Sequence, residues 1–307
     1  MQSNQPDIVD NLSLTFPLHT PNSKGILCAF LGYSLFAVSN ALMKGTASDV
    51  SVYNIVFWND VFALLAVFAL HRQLGGFRKT LQTRYLKFHL LRSVLLTLQF
   101  ICLIFALAAM PMANSYSLFF CAPLITTFLA IPFLKEKAHL FHWISLLGGI
   151  TGILIILNPE ARQFNMGVLY ALASALLVSL GNLANRKIGQ DETKFSFAFY
   201  PILSTLIISG GLSLAEFKVP EARHMFMLAL AGIGSGTGVL LVGMAFTLTS
   251  TAAASSFLYI QMVWAVVLGY LMFGDVLTLR IAAGSAFIIV SGLYLVWHEK
   301  KGNEKTF

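Results

Sequence analysis

Ten runs of about 18 to 23 mostly apolar residues, at 25–43, 52–71, 89–110, 113–134, 140–157, 167–185, 195–215, 225–247, 251–273 and 278–297, dominate the chain and leave short polar connections between them. A run of that length crosses the ~30 Å hydrocarbon core of a bilayer as an α-helix, which rises about 1.5 Å per residue. Inside lipid a helix satisfies its backbone N–H and C=O groups within its own segment, and irregular chain has no water to do so. The expected fold class is all-α, a polytopic membrane protein of ten transmembrane helices. Composition agrees: 57% of the 307 residues are hydrophobic, only 11% are charged, and the mean hydropathy is +0.77. That balance excludes a soluble domain and leaves no length for an extramembrane one.

The charge is +7, but the 20 Lys and Arg are scattered through the connections and form no basic stripe, so no nucleic-acid partner is expected. Positive loops are retained in the cytoplasm, and alternate connections differ sharply in charge. With the N-terminus inside, 15 of the 20 cations fall on the inner side, and only Lys44, Arg162, Lys218, Arg223 and Arg280 on the outer. Both termini are therefore expected in the cytoplasm of a cell whose inner membrane holds the protein. Residues 1–24 are polar, contain three prolines and lack the basic start of a secretory signal, and read as a cytoplasmic tail. Residues 298–307 form the other. Cys28, Cys102 and Cys121 each fall inside an apolar run without metal-ligand spacing, and read as small apolar residues; no metal and no cofactor is expected.

The chain repeats itself at an offset of 139 to 142 residues, 25–157 against 158–297. Gly25 to Asn40 and Lys44 overlays Gly167 to Asn182 and Arg186, and Phe57-Trp58 overlays Phe199-Tyr200. The stretch Ala106, Ala113, Ser117, Leu129, Glu136 overlays Ala245, Ala252, Ser256, Leu268, Asp275. Each repeat holds five runs. An odd number obliges the second to enter the membrane from the opposite side, so the halves are expected as two inverted five-helix repeats, the architecture of alternating access around a midplane site.

Phe105-Ala106-Leu107, Met112-Ala113, Ser117, Pro123 and Leu134-Lys135-Glu136, with the counterparts Met244-Ala245-Phe246, Ala252, Ser256 and Gly274-Asp275, resemble the EamA domain of the drug/metabolite transporter superfamily. Two copies cover nearly the whole chain. The resemblance implies a ten-helix permease that moves small organic metabolites without ATP, by proton coupling, exchange or facilitated diffusion. The chain departs from the pattern in having Met262 opposite Pro123, and Asp275 where a glutamate is usual.

Of the 13 acidic residues only Asp60 sits near the middle of an apolar run, about ten residues from either end and so roughly 15 Å deep. An ionised aspartate there costs at least about 2.5–3.5 kcal/mol, so it must face the interior and be paired, solvated or protonated. It reads either as a proton-coupling carboxyl or counter-charge for the solute, or as a structural partner of Asn59, Asn40 or Arg92. Arg92 either joins it as a coupling charge or snorkels to the interface. Lys44 and Arg186 stand where helix ends favour cations, as caps or as a gate for an anionic solute. Asn40 and Asn182, matched between repeats, and Gln99 and Gln261 are amides that bond either a neighbouring helix or a solute. The rings of Trp58, Tyr116, Phe120, Tyr200 and Tyr259 supply stacking surfaces for an organic solute, Trp58 matching Tyr200 and Phe120 matching Tyr259. Packing against other helices or lipid is the alternative for each. The run Gly232, Gly234, Gly236, Gly238 mimics a phosphate loop but has no strand before it, and is expected to make two small-xxx-small packing pairs, as are Gly148 and Gly152.

The expected function is a secondary transporter of a small organic metabolite such as an amino acid or nucleoside-like compound. Its partners are the lipid bilayer and the solute; protons and a second copy forming a homodimer stay open. The rivals are a membrane-embedded enzyme and a passive channel or scaffold. An enzyme is disfavoured because no paired intramembrane aspartates, Ser-His pair or His-Glu-x-x-His helix is present, and no Walker motif supports ATP-driven pumping.

Overall fold

Backbone groups in hydrocarbon have only their own segment to bond to, and the apolar runs accordingly close on themselves as helices. The computed structural model describes residues 21–69, 76–134, 140–157, 165–185, 188, 192–248 and 257–304. Twelve α-helices follow one another in these residues: α1 Pro21–Lys44, α2 Val52–Ala69, α3 Phe77–Leu81, α4 Leu86–Ala109, α5 Met112–Phe119, α6 Ala122–Leu134, α7 Leu140–Leu157, α8 Met166–Asn185, α9 Lys194–Ser213, α10 Ala222–Leu248, α11 Ile260–Phe273 and α12 Leu279–Glu304. Short 3-10 turns stand at Leu214–Glu216 and Phe257–Tyr259, and no strand occurs among the described residues. Seven segments are long and apolar enough to cross a bilayer, and three further apolar helices, Leu140–Ile156, Phe257–Phe273 and Leu279–Tyr294, are shorter. The chain is thus an all-helical, multi-span membrane protein. The tail up to residue 20, Arg186 and the start of the ninth apolar run before Phe257 lie outside the described residues.

Polarity is distributed for lipid. Large apolar side chains such as Leu65, Phe133, Leu147, Ile207, Leu271 and Val290 point outward, while Ser39, Asn59, Asp60, Thr97, Ser174 and Ser285 are buried between helices. Lipid solvates apolar surface, so the driving force for burial is lost and interhelical hydrogen bonds and close packing take its place. The apolar centre forms where Ile104 and Leu107 of α4 meet Met112, Tyr116 and Leu118 of α5.

Helix partners are exchanged between the two halves of the chain. α1 packs on α10 and α8 on α4; α2 packs on α10 and α9 on α4; α1 packs on α11 and α8 on α6; α2 meets α9 and α7 meets α12. Glycines permit the closest of these contacts. A Cβ on Gly236 would sit 2.7 Å from the Ala63 carbonyl of α2, and one on Gly232 would sit 2.6 Å from Phe62 Cβ. Two residues along, Gly234 and Gly238 face α1, where a Cβ would meet the Ser39 hydroxyl at 2.6 Å and the Gly32 carbonyl at 3.1 Å. Residues four apart share a face and residues two apart do not, so this one glycine run seats α10 between α1 and α2. The α7–α12 seam is built alike, with Gly152 against the Gly284 carbonyl.

The fourth apolar run is broken between α5 and α6. Pro123 has no N–H to offer the Phe119 carbonyl, and α6 restarts at Ala122 with Pro123 in its first turn, where no intrahelical donor is needed. Between them Phe120 N still donates to Tyr116 O at 2.9 Å, while Cys121 N closes a tighter turn onto Leu118 O at 3.2 Å. The ninth run enters α11 through the 3-10 turn Phe257–Tyr259, with Tyr259 at the place matching Phe120, although Met262 replaces the proline.

Candidate functional site

Asn40 and Lys44 lie one turn apart on α1 and both face the junction of α4 and α5. Asn40 Nδ2 donates to the Tyr116 hydroxyl at 2.7 Å, with both side chains buried. One turn further along α5, Tyr116 packs its ring at 5.8 Å from that of Phe120, which lies in the break and meets Tyr259 edge-on at 5.4 Å. The Tyr259 hydroxyl is buried without a hydrogen-bond partner among the described residues and leans toward Gly292 of α12, where a Cβ would collide with it. Gln261, buried in the first turn of α11, lies two residues beyond. Four residues expected at the site, Asn40, Tyr116, Phe120 and Tyr259, are thereby brought together from both halves of the chain.

Beside them a charged clip holds the α4–α5 turn. Lys44 Nζ donates to the Leu107 and Met110 carbonyls, each at 2.7 Å, and stands 5.1 Å from the centre of the Phe273 ring. These carbonyls belong to the C-terminus of α4, so Lys44 caps a neighbouring helix instead of its own. Asp275, just past the left-handed Gly274 that ends α11, accepts from Met112 N at 3.0 Å and so caps the N-terminus of α5. Cation on carbonyls and anion on an amide match the partial charges of the two helix ends.

Asp60 belongs to a second polar group. Asn59 Nδ2 donates to Asp60 Oδ1 at 2.8 Å, and Thr205 of α9 is its other hydrogen-bonding neighbour. Ser235 of α10 donates to Asn59 Oδ1 at 3.4 Å, and Thr97 of α4 pairs with Thr205 at 3.0 Å. The carboxyl is 5% exposed, and no cation pairs with it among the described residues. Of the structural partners expected for it, Asn59 is present. Arg92 is committed elsewhere: it donates to the Phe197 carbonyl at 3.2 Å and lies 5.5 Å from that residue's ring centre.

The remaining expected residues do not converge. Trp58 stacks beside Phe57 and Phe217 with its buried Nε1 unpartnered, whereas Tyr200 donates to the Thr80 carbonyl at 2.8 Å and packs 4.8 Å from the His89 ring. Asn182 is exposed, unlike its repeat-mate Asn40. Gln99 donates to Ser174 at 3.2 Å, joining α4 to α8. The charged clip and the Ser117–Ser285 hydroxyl pair were not expected; the sequence marks Lys44 as a cap or gate and Asp275 as the acid of the repeat pattern, but not that both hold the turn between α4 and α5.

At the opposite end of α4, about 30 Å away at 1.5 Å per residue, a different set closes the bundle. His89 lies 3.5 Å from Glu192, which also accepts from Thr83, and Thr80 pairs with Thr193 at 2.6 Å. No cluster of three side chains fit to hold a metal ion occurs among the described residues.

The model of the EamA-like transporter family matches residues 23–158 and again residues 165–297. The chain belongs to the EamA-like transporter family. This EamA-like chain is 23% identical over 88% of its length to an S-adenosylmethionine uptake transporter of Rickettsia bellii, of which 92% is covered. It is 25% identical to a riboflavin transporter of Vibrio cholerae, over 75% of this chain and 78% of that one. A pseudopaline exporter, CntI, of Pseudomonas aeruginosa is 26% identical over 91% of this chain and 97% of its own. One solved crystal structure shares the fold with a TM-score of 0.63 at 17% identity, covering 91% of this chain and 98% of that chain.

Proposed function

We infer that this small-molecule permease is a secondary transporter working by alternating access between two inverted five-helix halves, its termini cytoplasmic and its solute an amino acid or nucleoside-like compound. The observation that carries the reading is the exchange of partners: α1 and α2 lie on α10 and α8 and α9 on α4, so each half lays its first two spanning helices on the third spanning helix of the other, as inverted halves around a shared centre would. The Phe120–Tyr259 ring contact lies on that same axis of correspondence, closing the centre with one aromatic residue from each half. Aromatic faces and a buried amide suit a flat heterocycle with a polar end, and S-adenosylmethionine, named for the Rickettsia relative, joins a nucleoside to an amino acid.

Asp60 is the coupling carboxyl in this reading, since its partners among the described residues, Asn59 and Thr205, are neutral and gain or release of a proton there breaks no ion pair. The test is counterflow of labelled S-adenosylmethionine and of riboflavin in proteoliposomes. Saturable exchange supports the carrier; linear flux or unitary current with neither exchange nor saturation refutes it in favour of a channel. Asp60→Asn should abolish proton-driven accumulation while leaving counterflow, and undiminished accumulation in that variant removes the coupling role.

A further inference from the structure

The end of the molecule bearing Lys44 carries a cleft of about 910 Å3 between the start of α2 and the segment joining α9 to α10. Asp49, Asn54, Glu216, Lys218, Arg223 and His224 are among the residues that line it. Asn54 is the unusual member. It is 2% exposed; its Nδ2 donates to Ser51 Oγ and to the Glu216 carbonyl, each at 3.1 Å, and its Oδ1 is buried with no hydrogen-bond partner. The Glu216 carbonyl only accepts, which fixes the amide's orientation and leaves the acceptor on the other side. An unmet buried acceptor is costly, and this one has no donor among the described residues, so a donor entering from the cleft would lower that cost.

The charges around it are of both signs. Asp49 has one oxygen taken, Oδ2 accepting from Ser48 at 2.8 Å and lying 3.5 Å from His224, and its side chain is 61% exposed. Lys218, on the segment leading into α10, and Arg223, in the first turn of that helix, are exposed, with no ion pair among the described residues. The unmet Asn54 acceptor and three acidic residues, Asp49, Glu216 and Glu221, stand beside the two cations, and groups of both signs in one cleft complement a zwitterion. We propose that this cleft is a recruitment site for the amino-acid end of the solute, its ammonium taken by Asn54 Oδ1 and Asp49 and its carboxylate by Arg223 and Lys218. The site lies at the mouth of the bundle, at the same end as Lys44 and remote from His89 and Glu192, and it hands the solute on to the aromatic centre. This rests on the transport reading above and adds the chemistry of the group recognised.

The experiment compares binding and uptake of S-adenosylmethionine with those of 5′-methylthioadenosine, which keeps the nucleoside and lacks both the sulfonium charge and the amino-acid end, and of S-adenosylhomocysteine, which keeps the amino-acid end without the sulfonium charge. Full-length protein, wild type and the surface variants Arg223→Gln and Asp49→Asn, is used in detergent for equilibrium binding and in proteoliposomes for uptake. The expected result is that wild type binds both S-adenosylmethionine and S-adenosylhomocysteine at least tenfold tighter than methylthioadenosine. Each variant should raise KM for S-adenosylmethionine about tenfold with maximal rate unchanged, and leave binding of methylthioadenosine as it was. Asn54→Leu, checked for an unaltered thermal midpoint, should behave the same way, and Asn54→Asp should keep the affinity. Equal binding of S-adenosylhomocysteine and methylthioadenosine, or a KM within twofold of wild type in both surface variants, overturns the recruitment site while transport stands. Discriminating binding without any flux upholds the cleft and overturns the transport reading instead.

Discussion

Replacing Gly236 by alanine tests whether the glycine run on α10 is a packing surface. The added Cβ would stand 2.7 Å from the Ala63 carbonyl, 3.1 Å from Ala63 Cα and 3.2 Å from Ala66 Cβ. Ordinary contact begins at 3.4 Å, so α2 must retreat by about 0.7 Å. The obstacle is backbone, which no rotamer change can clear, and overpacking of this kind costs about 1–3 kcal/mol. Alanine also gains up to about 1 kcal/mol of helix propensity over glycine, which would mask part of the loss. Gly243→Ala, on the same helix with nothing within 4 Å of the new Cβ, carries that gain alone. The difference in unfolding free energy between the two variants therefore isolates the contact, at about 1–3 kcal/mol. Denaturation in mild detergent, followed by circular dichroism on both proteins under one condition, measures it. Variants equal within about 0.5 kcal/mol would show that α10 and α2 do not touch at Gly236. The displaced residue is one turn from Asp60, so proton-driven accumulation in Gly236→Ala should fall more steeply than counterflow.

A double-mutant cycle on Asn40→Leu and Tyr116→Phe should return a coupling of about 0.6 kcal/mol, up to about 1.7, typical of an interhelical hydrogen bond in a membrane protein; additive losses would remove the contact. Asp275→Ala should lower stability by about 0.5–2 kcal/mol through loss of the α5 cap, with Asp275→Asn recovering part of it in the same unfolding assay. Gly292→Ala should push Tyr259 out of its place and depress transport in protein that still elutes as a single species, whereas wild-type uptake there would show that the ring is free to move aside. Arg92→Gln should leave proton-driven uptake in place, because Phe197 and not Asp60 is its partner; loss of accumulation alone would restore its coupling role.

Periodicity in the chain carries what depends on neighbours along one helix. The apolar runs mark the helices, and the i, i+4 spacing of Gly232 with Gly236 and of Gly234 with Gly238 marks two packing faces, because both depend only on helical geometry. Pro123 marks the break for the same reason. Contacts across the bundle leave no such trace: Asn40 and Tyr116 are 76 residues apart, and Met112 and Asp275 are 163 apart. Matching of the repeats also misleads where one half differs from the other in packing. Asn182 aligns with Asn40 yet is exposed, and Tyr200 aligns with Trp58 yet bonds the chain before α4. Lys44 was legible as a cap, but the helix it caps is α4, a neighbour the sequence order conceals.

A helix with bare backbone on two sides has little to interlock with either neighbour. At Gly232, Gly234 and Gly236 α10 has no side chain to lift over α1 or α2, so resistance to sliding along this seam would rest on a few inserted groups such as Val242 over Gly32. The slow step in exposing the centre to the other face would then fall to the bulky rings that meet at the interrupted runs, and trimming Phe120 should quicken turnover where loosening the glycine seam would not.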